Sequence, residues 1–153
     1  MTNSTNTSRV IKASREKIYR AFIDPKALAV WLAPDEMTGK VHKMKAEVGG
    51  GYEMSLYYSD EDEDHEGKTA QHEDRFTAKF EELMPSEKIV QTVNFDTTDP
   101  ELKGDMTMTT ILEDVNNATK VTIEFRDIPP GIDPEDNDEG TRQSLAKLAK
   151  FVE

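Results

Sequence analysis

Residues 49–58 read GGGYEMSLYY, three glycines followed by a segment whose side chains alternate in character. Before this stretch apolar residues recur at helical spacing, as in Ile18, Ala21 and Phe22; after it they recur at every second position. A phosphate-binding glycine loop opens a helix, so that backbone N–H groups and the helix dipole face the anion. Here alternation follows the glycines, and no Lys–Ser/Thr pair stands at the phosphate-loop offset. Gly49 to Gly51 therefore read as a turn or bulge with positive φ between two strands. Their second arm presents Tyr52, Met54, Leu56 and Tyr58 on one face and Glu53, Ser55 and Tyr57 on the other.

Working outward, Arg9 to Ala13 reads as a short first strand, and residues 1–7 as a disordered N-terminal tail before a single domain at 8–153. Ser14 is placed to cap a helix over 15–23, and a second short helix, K-A-L-A-V-W-L, runs up to Pro34. Strands are predicted over 41–48, 52–58, 75–83, 89–95, 106–112 and 120–126. Their short connections imply antiparallel neighbours. A final helix over 136–152 carries Leu145, Leu148, Ala149 and Val152 on one stripe. The order β-α-α-β-β-β-β-β-β-α is an α+β layout.

One sheet face is apolar: Tyr52, Met54, Leu56 and Tyr58, then Phe76, Ala78 and Phe80, then Met106, Met108, Thr110 and Leu112, then Val121, Ile123 and Phe125. The strand 89–95 is ambiguous in parity. Across these four strands, the second read from Arg75, this face holds no Asp, Glu, His, Lys or Arg, so it offers no group for acid–base or covalent chemistry. No catalytic residue is assigned. His42, sharing parity with Met44, Ala46 and Val48, is the one histidine that could reach inward. Methionines at 54, 106 and 108 suit a core or an adaptable apolar cavity.

Composition excludes several classes. The 153 residues contain no cysteine, which removes disulfides, thiolate nucleophiles and cysteine-bound metals and is compatible with a reducing cytoplasm. The formal charge of -12 argues against nucleic acid and anionic membrane surfaces as partners. The opening MTNSTNTSRV carries no apolar run, so no signal peptide is expected, and no 18 apolar residues occur together. Asn-x-Ser/Thr triplets at Asn3, Asn6 and Asn117 carry little weight without a secretion signal. The run 59–68, SDEDEDHEGK, has six acids, but counting from Asp60 puts His65 and Gln71 where a calcium loop needs Gly and Glu. A His65/His72 zinc pair would lack a third ligand, so no metal or other cofactor is expected.

The segments IKASREKIYRAFIDPKALAVWLAP (11–34), GGGYEM (49–54), FEELMPSEKIV (80–90), MTMT (106–109), TKVTI (119–123) and DNDEGTRQSLAKLAKFVE (136–153) together resemble the START-like superfamily. The resemblance is to its heat-shock-protein-90 ATPase activator homologue-like branch, and it runs through nearly the whole chain in order. It implies a helix-grip fold, a curved antiparallel sheet wrapped around the C-terminal helix, enclosing a cavity for a small apolar or amphipathic molecule. On that reading the cavity is lined by Trp31, Tyr52, Met54, Leu56, Tyr58, Phe76, Phe80, Met106, Met108, Thr141, Leu145 and Leu148. Many relatives carry Trp after the glycine of the last helix, whereas Gly140 is followed here by Thr141, a smaller, polar residue that would enlarge the pocket or change what fits. The expectation is a non-catalytic, cytoplasmic, stress- or metabolism-linked binding protein, monomeric or homodimeric. The alternatives are a cyclase- or hydrolase-type enzyme using His42, Glu53 or Arg126, and a co-chaperone module with a chaperone partner.

Overall fold

A computed structural model describes residues 4–33, 37–57, 73–96 and 100–153. The elements run β1 (Thr5–Ile11), α1 (Arg15–Phe22), α2 (Pro25–Trp31), β2 (Thr38–Lys45), β3 (Gly51–Tyr57), β4 (Glu73–Met84), β5 (Lys88–Phe95), β6 (Met106–Val115), β7 (Ala118–Arg126) and α3 (Pro134–Val152). The seven strands form one curved antiparallel sheet in the order β1-β7-β6-β5-β4-β3-β2, gripping α3, so the helix-grip α+β expectation holds. Consecutive strands from β2 to β7 are neighbours, as short connections dictate. The first strand closes the sheet against the last one.

Local chemistry sets the helix boundaries. The hydroxyl of Ser14 accepts from the Lys17 amide and caps α1. Asp24 caps α2 through the Lys26 amide, and Pro25 takes the first helical position, where its missing N–H costs nothing. Asp133 and Pro134 open α3 in the same way. Between them α1 and α2 bury Ile18, Phe22, Leu28 and Trp31 beside the sheet. The Trp31 indole N–H donates to the Ala21 carbonyl at 2.8 Å, and its ring meets Phe22 edge-on with centroids 4.7 Å apart.

Three expectations are corrected. Residues 5–7 are not a tail: Thr5 to Thr7 pair with Phe125 to Ile123, and Thr7 is buried with its hydroxyl on the Asp138 carboxylate. Hydroxyl side chains on an edge strand give no apolar alternation to read. His42 does not point inward, because a bulge between Val41 and Lys43 makes it the extra residue. Val41 then faces Met54 and Met44 faces Tyr52, while His42, Ala46 and Val48 are exposed. The outer face is not uniformly wet either: Ser55 is fully buried there, with its Oγ 2.7 Å from His42 Nε2.

The three glycines do make a turn, and more. Gly49, at φ +86°, occupies the left-handed region. Its N–H donates to the Phe80 carbonyl, and the Gly50 carbonyl accepts from the Phe80 amide, so pairing with β4 continues past the start of β3. Gly51 lies so close to β4 that a Cβ would stand 1.9 Å from the Ala78 oxygen.

On the outer face Glu53 bonds Arg75 across the β3–β4 pair, with Lys43 of β2 3.7 Å away. The Arg75 hydrogen bond, helped by the nearby cations, holds the Glu53 carboxyl below its usual range.

Two outcomes follow. Gly51→Ala should cost at least about 2 kcal/mol in denaturant unfolding, because strand backbone must separate, whereas Gly49→Ala, with open space around it, should cost about 1 kcal/mol. Equal effects would contradict the close-approach assignment. The Glu53 contribution should be complete above about pH 4.5 and vanish as pH falls through its lower folded value, because only then does the folded state take up the proton. The stability gap between the protein and its Glu53→Gln variant should therefore shrink below about pH 4. A gap independent of pH would remove the ion pair from the account.

Candidate functional site

The last helix is about 28 Å long, and its inward residues differ between its halves. The C-terminal half buries Leu145, Leu148, Ala149 and Val152, which fill the core. The N-terminal half offers Asn137, Gly140, Thr141 and Ser144 instead. Small side chains cannot reach the sheet, and a cavity of about 270 Å³ remains there. It is bounded by the N-terminal half of α3, by strands β3 to β7, and by the 131–133 segment leading into α3.

Hydrogen bonds moor α3 along its length, so the space does not close by simple collapse. Thr5 Oγ1 donates to Asn137 Oδ1 at 2.8 Å, and Thr7 bonds Asp138. Further along, Ser144 Oγ donates to the Leu32 carbonyl and Lys147 Nζ to the Ala33 carbonyl, both at 2.7 Å. At the helix end the Lys12 amide donates to the Glu153 carboxylate.

The cavity wall is mainly apolar. Tyr52, Leu56, Phe76, Met106, Met108 and Thr141, all named from sequence, lie in it. Trp31, Met54, Phe80, Leu145 and Leu148 lie instead in the packed core and are not among the cavity's wall residues. They belong to the densely filled part of the interior, where α1, α2 and the C-terminal half of α3 meet the sheet. Tyr58 falls outside the described residues, as do the acidic run 59–68 and His65 and His72.

Sequence reading missed Val93, Phe95 and Ile123 of the wall. The first two follow from the parity of β5, which the structure resolves: Ile89, Gln91, Val93 and Phe95 face inward. Ile123 was already on the apolar face and only its depth was not legible.

A second correction concerns chemistry. Strand β4 begins at Glu73, so Asp74 shares the face of Phe76, Ala78 and Phe80. It is 2% exposed and lines the cavity. The inner face therefore does carry a carboxylate, hidden in the sequence by the polar run that precedes it. Asp133 and Asp136, at the start of α3, line the same cavity and are exposed. Among the described wall residues there is no Lys, Arg or His. His42, Glu53 and Arg126 are also not in this wall.

A further buried polar group in the wall is a phenol. Tyr52 is buried and its hydroxyl donates to Gln91 Oε1 at 3.0 Å. Burial raises its pKa well above the ordinary tyrosine value, so it stays a neutral donor throughout the physiological range. Rings of Phe76 and Phe80 flank it at 6.1 and 5.8 Å, and Phe95 continues the row from Phe76 at 6.2 Å. Among the described residues no cluster of three His, Cys, Asp or Glu side chains could hold a metal ion. No described helix is long and apolar enough to cross a membrane.

The fold recurs in known proteins. A protein of Chromobacterium violaceum superposes with a TM-score of 0.84 at 36% identity, covering 98% of this chain and 96% of the other. A Mycobacterium smegmatis protein reaches 0.78 at 11% identity over 99% and 91% of the two chains. The AHSA1-like protein of Aeromonas hydrophila reaches 0.70 at 16% identity over 97% and 91%. The last two likenesses concern the fold alone. No curated protein matches. The sequence profile of AHSA1, described as Activator of Hsp90 ATPase homolog 1-like protein, matches residues 12–153. With nine-tenths of its length inside that match, the chain belongs to the Activator of Hsp90 ATPase homolog 1-like family.

Proposed function

We propose that this START-type domain binds a small apolar or amphipathic molecule in the cavity between the sheet and the N-terminal half of α3. The observation that carries this reading is the cavity itself: about 270 Å³ walled mainly by Leu, Phe, Met, Val and Ile side chains. That volume is close to the lower end of the range of small-molecule sites. Water against the Leu, Phe, Met, Val and Ile part of the wall finds few polar partners. Replacing poorly bonded water with an apolar group is favourable. Met106 and Met108, with flexible side chains, suit a wall that adjusts to its occupant.

Binding rather than catalysis is the role this wall supports best. A reaction needs a positioned nucleophile or acid–base pair; the described wall offers the carboxyl groups of Asp74, Asp133 and Asp136 and one neutral phenol, while the Thr141 and Ser144 hydroxyls donate to the backbone carbonyls of Asn137 and Leu32. The family description concerns a co-chaperone, and fold likeness does not carry that activity to this chain. A cytoplasmic location belongs to the same reading, with the cysteine-free composition compatible with that compartment.

Two measurements test it. The neutral fluorophore 1-aminoanthracene should brighten on binding the purified protein and be displaced by octanol; no binding of this probe, with no lipophile extracted from natively purified protein, would refute the proposal. Thr141→Trp should fill the space and weaken fluorophore binding at least about tenfold, with the fold intact by circular dichroism. Ile111→Ala, on the outer face, should leave binding unchanged. Unchanged binding in the Trp variant would place the fluorophore elsewhere.

A further inference from the structure

We infer that the cavity selects guests that carry a hydrogen-bond donor, a hydroxyl or an N–H, over guests of the same size whose polar atom only accepts, such as ethers and ketones. This inference rests on the binding reading above and adds the polar group that a bound molecule presents.

A hydroxyl has one hydrogen to give and two lone pairs. Thr141 and Ser144, both buried wall residues, have already given theirs. Thr141 Oγ1 donates to the Asn137 carbonyl at 2.8 Å and Ser144 Oγ to the Leu32 carbonyl at 2.7 Å. Both acceptors are backbone carbonyls, which cannot donate, so the direction of these two bonds is fixed. Asn137 and Leu32 are wall residues too, so each bond joins two parts of the cavity's own lining. What such a pair offers a guest is lone pairs, on the hydroxyl and on the carbonyl. Tyr52 repeats the pattern on the sheet: its hydrogen goes to Gln91 Oε1, and the phenol oxygen keeps a lone pair.

Backbone donors in the lining are engaged as well. The Gly131 and Ile132 amides donate to the Glu101 and Pro129 carbonyls. Strand and helix amides are spent mainly in the sheet ladder and in the turns of α3. Asn137 differs: its Oδ1 accepts from Thr5, which leaves its amide group as a donor, half-buried near the start of α3. Around Tyr52, Thr141 and Ser144 the wall is therefore rich in acceptors and poor in donors. An ether or ketone oxygen placed there loses its water partners and gains none, whereas an O–H or N–H meets an acceptor from the helix or from the sheet.

The test displaces 1-aminoanthracene with three guests of equal size: 1-octanol, methyl heptyl ether and 2-octanone. Burial of apolar surface alone ranks the ether first, because it is the least well hydrated of the three. The inference predicts instead that octanol competes at a concentration at least about fivefold below either of the others. Thr141→Val keeps the side-chain shape and removes the hydroxyl, and Ser144→Ala and Tyr52→Phe remove the other two. The octanol advantage should fall at least about threefold in one or more of these variants, with circular dichroism unchanged. Ether or ketone competing as well as octanol would overturn the donor inference and leave cavity binding standing. So would an advantage that survives undiminished in all three variants. Failure of the fluorophore and all three guests to bind would instead overturn the binding reading itself.

Discussion

A sheet with one apolar face must have that face covered, and here a single helix does most of the covering. Alternation along the strands creates the face, and antiparallel closure of β1 onto β7 curves it around α3. The helix is fixed at both ends and in the middle by side chains of β1, of its own sequence and of Glu153. Its position is therefore set independently of how well each of its turns packs. Where its residues are Leu145, Leu148, Ala149 and Val152 the interior is solid; where they are Gly140, Thr141 and Ser144 it is hollow. The cavity follows from side-chain volume along one helix.

That hollow end is also where polar groups enter the inner face. Asp74, Asp133 and Asp136 gather there, while Tyr52 and Gln91 satisfy each other on the sheet. A buried polar group costs free energy unless it is bonded, so each one in the inner layer has structural consequences. The Tyr52–Gln91 pair fixes a ring that both walls the cavity and packs against Phe76 and Phe80. Thr110, by contrast, is fully buried with no hydrogen-bond partner for its hydroxyl among the described residues. It is not in the cavity wall.

The sequence made the architecture legible because its two periods are clean. Apolar residues at helical spacing in α1 and α3, and at every second position in β3, β4, β6 and β7, name the elements and their inner faces. What escaped were places where chemistry and period disagree. The first strand is built from Thr, Asn and Ser with a buried hydroxyl, so it resembled a polar tail. One extra residue at His42 reversed the parity of the rest of β2, and nothing in its composition announces the bulge. The polar start of β4 concealed Asp74, which only the register with Leu56 assigns to the inner face. The cavity's wall could not be separated from the core, because packed and lining residues share the same alternation. Thr141, set apart by its position after Gly140, was the one helix residue whose size pointed to the open end.

The central claim is that the space beneath the N-terminal half of α3 admits an apolar guest. Methyl-labelled methionine NMR tests it most directly, since methionines sit both in the wall and far from it. On addition of octanol, the Met106 and Met108 methyl resonances should shift in a saturable manner, with the exposed Met84 methyl unmoved. Shifts confined to Met84, or no saturable shift at Met106 and Met108, would contradict the account.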